Sequence, residues 1–242
     1  MREIEERCLN AWPAAQQILY DGWIVRFANG YTRRANSVNP IYEGERGIYE
    51  KVLRCEQLYR DRGLRVVFKM TPLTHPPDLD LLLEGRGYEK EAGTSVQALD
   101  LRDLGIPGLS SVHIRESVDT NWMEAYTRMK GMSDSEMEAL QGILSHIGPP
   151  AQYVSLLDGE TPVAMGISVL EDDYVGLFGL VTDASRRNQG FGTQLVWAIL
   201  GNARANGART AYLQVEITND PALRLYIRLG FEEAYRYWYR VK

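Results

Sequence analysis

Six consecutive residues, Arg187-Asn188-Gln189-Gly190-Phe191-Gly192, join a cation to two glycines where a β-prone stretch gives way to a helical one. That combination suits an anion, and a diphosphate in particular. The first turn of a helix leaves backbone N–H groups without intrahelical partners and carries partial positive charge. Glycines at 190 and 192 remove the Cβ atoms that would keep phosphate oxygens from the main chain, and Arg186 and Arg187 add positive charge. Taken alone, the pattern also fits a plain glycine-rich helix start. Two other phosphate loops fit worse. A dinucleotide fingerprint needs a small residue where Leu195 stands, and a P-loop needs Gly-Lys followed by Ser or Thr, which is absent. No metal chemistry is expected: His75, His113 and His146 share no helical ligand spacing, and Cys8 and Cys55 form no CxxC pair.

Such a loop has to be held between a strand and a helix. Tyr174 to Thr182 reads as the strand, with Gly176 and Gly179 inside it, and glycine in a strand marks a bulge or a close ligand approach. From Gly190 to Gly207, Leu195, Val196, Ile199, Leu200 and Ala203 form a helical stripe. Thr210 to Ile217 is the next strand. A helix follows, with Asp220 as N-cap, Pro221 in the first turn and Gly230 past the end; its stripe is Ala222, Leu225, Tyr226 and Leu229. The aromatic segment Phe231 to Val241 completes the sheet.

Upstream, Val112 to Glu116 reads as a strand, and Thr120 to Lys130 and Ser133 to Ile147 as helices, the second opened by Ser133 and Glu136 at capping-box spacing. Gln152 to Leu157 and Thr161 to Leu170 form a hairpin through Asp158-Gly159. Asp100 to Ser111 has Gly, Pro and Ser but no apolar period. The expected organisation is therefore an N-terminal domain over 1–104, a linker over 105–111 and a second domain over 112–242. The first part carries a fainter copy of the second: Gly63 to Phe68 parallels Gly207 to Tyr212, and Gly87-Tyr88-Glu89 parallels Gly230-Phe231-Glu232.

The loop resembles the pyrophosphate loop of the GNAT superfamily of acyl-CoA-dependent N-acetyltransferases, R/Q-x-x-G-x-G/A, through Arg187, Gly190 and Gly192. A second family element, an Asn followed by a helix ending in Leu-Tyr and then Gly-Phe, is matched by Asn219, Ala222, Leu225, Tyr226, Gly230 and Phe231. The resemblance runs from about Val112 to the C terminus. It implies an α+β (mixed α/β) fold, a mostly antiparallel splayed sheet flanked by helices, duplicated in this chain. It implies acetyl-CoA as co-substrate, with Leu180, Val181 and Thr182 along the pantetheine arm. The amides of Asn188, Gln189, Gly190, Phe191, Gly192 and Thr193 would hold the pyrophosphate, with Arg187 reaching phosphate and Asn219 bonding the pantetheine. In the first part, Val38 to Gly47 occupies the equivalent loop, but Glu43 and Glu45 put negative charge where pyrophosphate would lie, and Leu83 stands where the second copy has Tyr226.

The implied reaction is transfer of an acetyl group to a primary amine, on a small molecule or peptide, by direct attack through a tetrahedral intermediate. An alkyl ammonium of pKa roughly 10.4 leaves about one molecule in a few thousand neutral at pH 7, so a base or water chain is needed. The backbone N–H of Val181 is the expected oxyanion donor, and Tyr226 the group that protonates the sulfur or hydrogen-bonds the thiolate. Some family members carry Glu where Gln214 stands here; Glu216, on the same strand face, is the nearest carboxylate for a catalytic base. A non-catalytic acyl-CoA-binding module is the competing reading.

Composition sets the outer bounds. With 27 Lys and Arg against 32 Asp and Glu, the net charge is −5, without the basic excess that binding nucleic acid requires. No apolar run reaches the length of a membrane span, and the charged start, MREIEERCLN, is no secretory signal. The expected setting is the cytoplasm. The expected partners are the amine substrate and a second copy in a homodimer, with no nucleic acid, membrane or metal.

Overall fold

The computed structural model describes residues 1–105, 107 and 111–242. Residues 106 and 108–110 of the expected linker lie outside them. The elements run α1 (Arg2–Ala11), β1 (Gln16–Tyr20), β2 (Trp23–Phe27), β3 (Val38–Asn39), α2 (Ile48–Arg60), β4 (Val67–Met70), α3 (Leu79–Gly85) and β5 (Glu89–Asp100). Then come β6 (Val112–Arg115), α4 (Thr120–Lys130), α5 (Asp134–Ser145), β7 (Ala151–Asp158), β8 (Thr161–Glu171), β9 (Tyr174–Thr182), α6 (Phe191–Ala205), β10 (Thr210–Glu216), α7 (Asp220–Arg228) and β11 (Glu232–Val241). Short 3₁₀ turns cover Arg33–Ala35 and Ala184–Arg186.

Local sequence accounts for most of these bounds. Ser133 and Glu136 close the capping box of α5, and Gly159 (φ 62°) and Asp172 (φ 54°) turn the two hairpins that join β7, β8 and β9. The cap of α7 departs from expectation: Asn219, not Asp220, is the N-cap, its side chain accepting from the Ala222 amide at 3.3 Å. Asp220 becomes the first helical residue, where its charge still favours the positive end of the helix.

The eleven strands of the described residues join one sheet in the order β1-β2-β3-β4-β11-β5-β10-β9-β8-β7-β6. β3–β4 and β9–β10 are its parallel pairs; the other pairs are antiparallel. The order exchanges two strands between the sequence halves. β5 lies between β10 and β11, and β11 bonds β4 along its other side. One face of the second half packs α6 through Leu195, Val196, Ile199 and Leu200 onto Val175, Leu177, Leu213 and Val215. The opposite face packs α1, α4 and α5 against Phe178, Tyr212, Tyr235 and Tyr237. α1 is fixed there by Glu5, fully buried, whose carboxylate takes the Lys69 ammonium from β4 and the Tyr235 hydroxyl from β11.

The loop before α2 has its anion built in. Asp21, in the tight β1–β2 turn, accepts from the amides of Glu45 and Arg46 at 2.9 and 3.0 Å and pairs with buried Lys51 at 3.0 Å. These two amides and then Lys51 hold the Asp21 carboxyl down at about 2. No Cβ fits at Gly44, where it would lie 2.2 Å from the Asp21 carbonyl oxygen.

Two outcomes follow from this architecture. Residues 1–104 and 112–242 produced separately are expected to lack cooperative thermal unfolding, because the second leaves β10 and β11 without β5; mixing them should restore it, and sharp melting of either alone would contradict the exchange. Asp21 has its pKa lowered on folding, so its stabilisation is present above the unfolded value of roughly 3.9 and fades as pH falls towards 2. The melting temperature of Asp21→Asn should therefore lie below wild type at pH 7, with the gap closing below about pH 4.

Candidate active site

The sheet opens between β9 and β10. Their parallel pairing runs from Tyr174 with Thr210 to Leu177 with Leu213 and stops. Beyond it β9 continues to Thr182 beside β8 alone, and β10 continues to Glu216 beside β5 alone. At the point of divergence β9 bulges. Phe178 pairs with Ile167 and Val181 with Met165, so Gly179 and Leu180 together oppose Gly166. Gly179 has φ 58° and its carbonyl accepts the Tyr126 hydroxyl at 2.8 Å; a Cβ there would lie 2.2 Å from that oxygen.

The bulge decides which amides face the opening. The Asp183 amide donates to the Val163 carbonyl at 2.9 Å. Antiparallel alternation then makes Val181 and Met165 the next pair to exchange hydrogen bonds, turning the Val181 amide towards β8. The amides of Leu180 and Thr182 are left on the open side. The oxyanion donor expected at Val181 is therefore better sought at its neighbours.

The loop after β9 is a second cluster of amides. Asp183 accepts from the Ser185 amide at 2.8 Å and its hydroxyl at 2.6 Å, and the chain then turns through Asn188 (φ 61°) and Gly190 (φ 84°). Gly190 caps α6 without a side-chain bond, and the Gln194 amide already takes its carbonyl. The amides of Phe191, Gly192 and Thr193 thus have no intrahelical acceptor. A Cβ at Gly192 would come within 3.3 Å of both Leu225 Cδ1 and Thr182 Oγ1, so α6, α7 and β9 meet here. The two arginines differ. Arg186 is paired with Asp158 and lies 5.1 Å over the Phe191 ring, whereas Arg187 is exposed and makes no ion pair among the described residues. Gln189 is exposed beside it.

At the N-cap of α7, Asn219 spends its side-chain carbonyl oxygen on the helix, and its amide NH₂ makes no hydrogen bond among the described residues. Tyr226 is half-buried, 5.8 Å from the Phe231 ring, and burial pushes its phenol up to about 12. Gln214 and Glu216 share a face of β10, as alternation requires, and line a cavity of about 230 Å³ together with Thr32, Arg33, Arg34 and Tyr237. Gln214 accepts the Tyr237 hydroxyl at 2.7 Å, while its buried NH₂ has no partner among the described residues. The sequence reading missed Arg33, Arg34 and Tyr126; a one-turn 3₁₀ segment and an ordinary core tyrosine give no local signal. A larger cavity, about 580 Å³, lies between α4 and β6 to β8 and holds none of the expected site residues.

This fold recurs in solved structures. A GCN5-related N-acetyltransferase from Kribbella flavida superimposes with a TM-score of 0.73 at 17% identity, over 99% of this chain and 94% of the other. One from Sphaerobacter thermophilus gives 0.66 at 21% identity, over 85% and 72%. An uncharacterized N-acetyltransferase of Bacillus subtilis (strain 168), YobR, is 28% identical over 246 residues, spanning 100% of this chain and 98% of the relative. Sheet, helices and relatives define an acetyltransferase of the GNAT type, an acyl-transferring enzyme. Residues 1–240 match the family model described as "Probable histone acetyltransferase Rv0428c C-terminal", and the chain belongs to that family. Among the described residues no helix is long and apolar enough to cross a membrane.

Proposed function

We propose that the enzyme transfers the acetyl group of acetyl-CoA to a primary amine, on a small molecule or on a peptide such as the histone in the family's description, by direct attack. The observation that carries this reading is the opening between β9 and β10, with outward amides leading directly to the uncapped start of α6. An extended pantetheine fits as an added strand beside Leu180 to Thr182, bonding the sheet edge as a peptide would. The diphosphate then falls on the amides from Asn188 to Thr193, with Arg187 as counter-charge and the Asn219 NH₂ as a donor to a pantetheine carbonyl.

Attack by the neutral amine turns the thioester carbonyl into an oxyanion, and the Leu180 amide, held by the bulge, is the preorganised donor; such a bond contributes about 3 kcal/mol. The new C–N bond leaves the nitrogen cationic; it gives this second proton to water, and collapse breaks the C–S bond and expels the thiolate. A phenol pushed up to about 12 is a weaker acid than a thiol of roughly 8.5, so Tyr226 keeps its proton and hydrogen-bonds the developing thiolate. The ammonium form of the acceptor loses its proton to Glu216, directly or through water, at the cavity on the other face of the sheet.

Release of CoA, followed with a thiol reagent across a panel of amines, tests the reaction; binding of acetyl-CoA without turnover on any amine would overturn it. Tyr226→Phe is expected to lower kcat roughly 10- to 1,000-fold with acetyl-CoA affinity little altered, and an unaltered kcat would remove the hydroxyl from the reaction. Arg187→Glu should weaken acetyl-CoA binding about 10-fold or more by calorimetry, most strongly at low salt; undiminished heat would move the diphosphate elsewhere.

A further inference from the structure

The cavity beside Gln214 and Glu216 contains a cation whose charge no carboxylate of the described residues pairs. Arg34 is half-buried, and no carboxylate among the described residues lies within ion-pairing distance of it, whereas neighbouring Arg33 is paired with Glu91 at 2.6 Å. Its guanidinium lies 5.2 Å over the Trp12 ring, and Trp12 stacks at 5.9 Å on Phe178, the residue before the bulge. The backbone that carries Arg34 is firmly held. Buried Arg26 donates to the carbonyls of Arg34, Leu9 and Trp12, and the Asn36 side chain bonds the amides of Ala28 and Gly30 and the carbonyls of Ala28, Tyr31 and Thr32.

Neighbouring groups register its charge. Burial raises the Tyr126 and Tyr239 phenols above their usual range, and Arg34 offsets part of that rise. The Lys130 ammonium is lowered, by desolvation and then by Arg34. Tyr126 is the residue bonded to Gly179, so this positive region adjoins the opening. Glu216 supplies the opposite charge in the same cavity.

We propose that the acceptor is a small amine bearing a carboxylate, of the amino-acid kind, and that Arg34 is the specificity-determining residue that binds this carboxylate beside the opening. This rests on the transferase reading and names its substrate class. A planar guanidinium fixed on an indole matches a carboxylate in two parallel hydrogen bonds, and Glu216 faces the ammonium. A cavity of about 230 Å³ is below the usual range for drug-sized ligands and suits a compact acceptor. An unpaired arginine with Lys130 nearby opposes a polycationic peptide.

CoA release is measured for a panel of amino acids, each beside its carboxamide, and for a lysine-containing peptide. The acids should exceed their carboxamides about 10-fold or more in kcat/KM. Arg34→Gln should raise KM for the acids roughly 10- to 100-fold, with a far smaller loss for the carboxamides, and Arg34→Lys should recover part of it. Equal rates for acids and carboxamides, or equal losses on both, would overturn the subsite while leaving the transferase intact. A second readout does not depend on turnover: the N-acetylated amino acid titrated into the CoA-loaded protein should give heat in wild type and none in Arg34→Gln of unchanged melting temperature. Arg34-dependent heat without turnover of any amine would keep the subsite and end the transferase reading; no heat and no preference would end the subsite.

Discussion

Two parallel strands that share hydrogen bonds for four residues and then part set the terms for the rest of this molecule. Main-chain amides and carbonyls cannot be buried unpaired, so the divergence needs support on both flanks. β8 takes up β9 through the bulge at Gly179 and Leu180, and β5 takes up β10 as far as Glu216. What remains is an open seam with one amide-rich wall. The helix that starts at its end, the glycine at 192 that lets it approach Thr182, and the aromatic residues on the reverse face all answer to that geometry.

Much of this was legible from the chain. Periodicity and turn residues located the elements from Val112 onward to within a few residues, because each depends on short-range signals: a capping box, positive-φ turns, an apolar stripe. Strand exchange was not legible, since β5 carries no mark of which partner it will take. The register of Val181 was lost for a related reason. A single extra residue reverses the direction of every amide after it, and two glycines in a strand do not say where the bulge falls. Arg186 reads like Arg187 in sequence and differs only because Asp158, from a hairpin 28 residues earlier, reaches it. The proposed acceptor side was the least visible part, since its arginines come from the first half of the chain and meet β10 only in three dimensions.

The buried carboxylate of Glu5 gives α1 one seat. Removing an ion pair from water costs most of what the attraction returns, so its value lies less in net stability than in excluding other dockings of the helix. With Lys69 from β4 and Tyr235 from β11 both directed at it, α1 lies across the junction of the halves and delivers Trp12 to Phe178.

A sheet that passes unbroken from β1 to β6 also limits how the enzyme can move. Two lobes joined by a tether could swing apart to admit a substrate and clamp down on it. Here β11 is stitched to β4 on one side and β5 on the other, so a hinge between the halves would have to tear a ladder of backbone bonds. Traffic through the proposed acceptor chamber must then rely on side chains and on the helices above it, and turnover would be gated by small rearrangements at the rim.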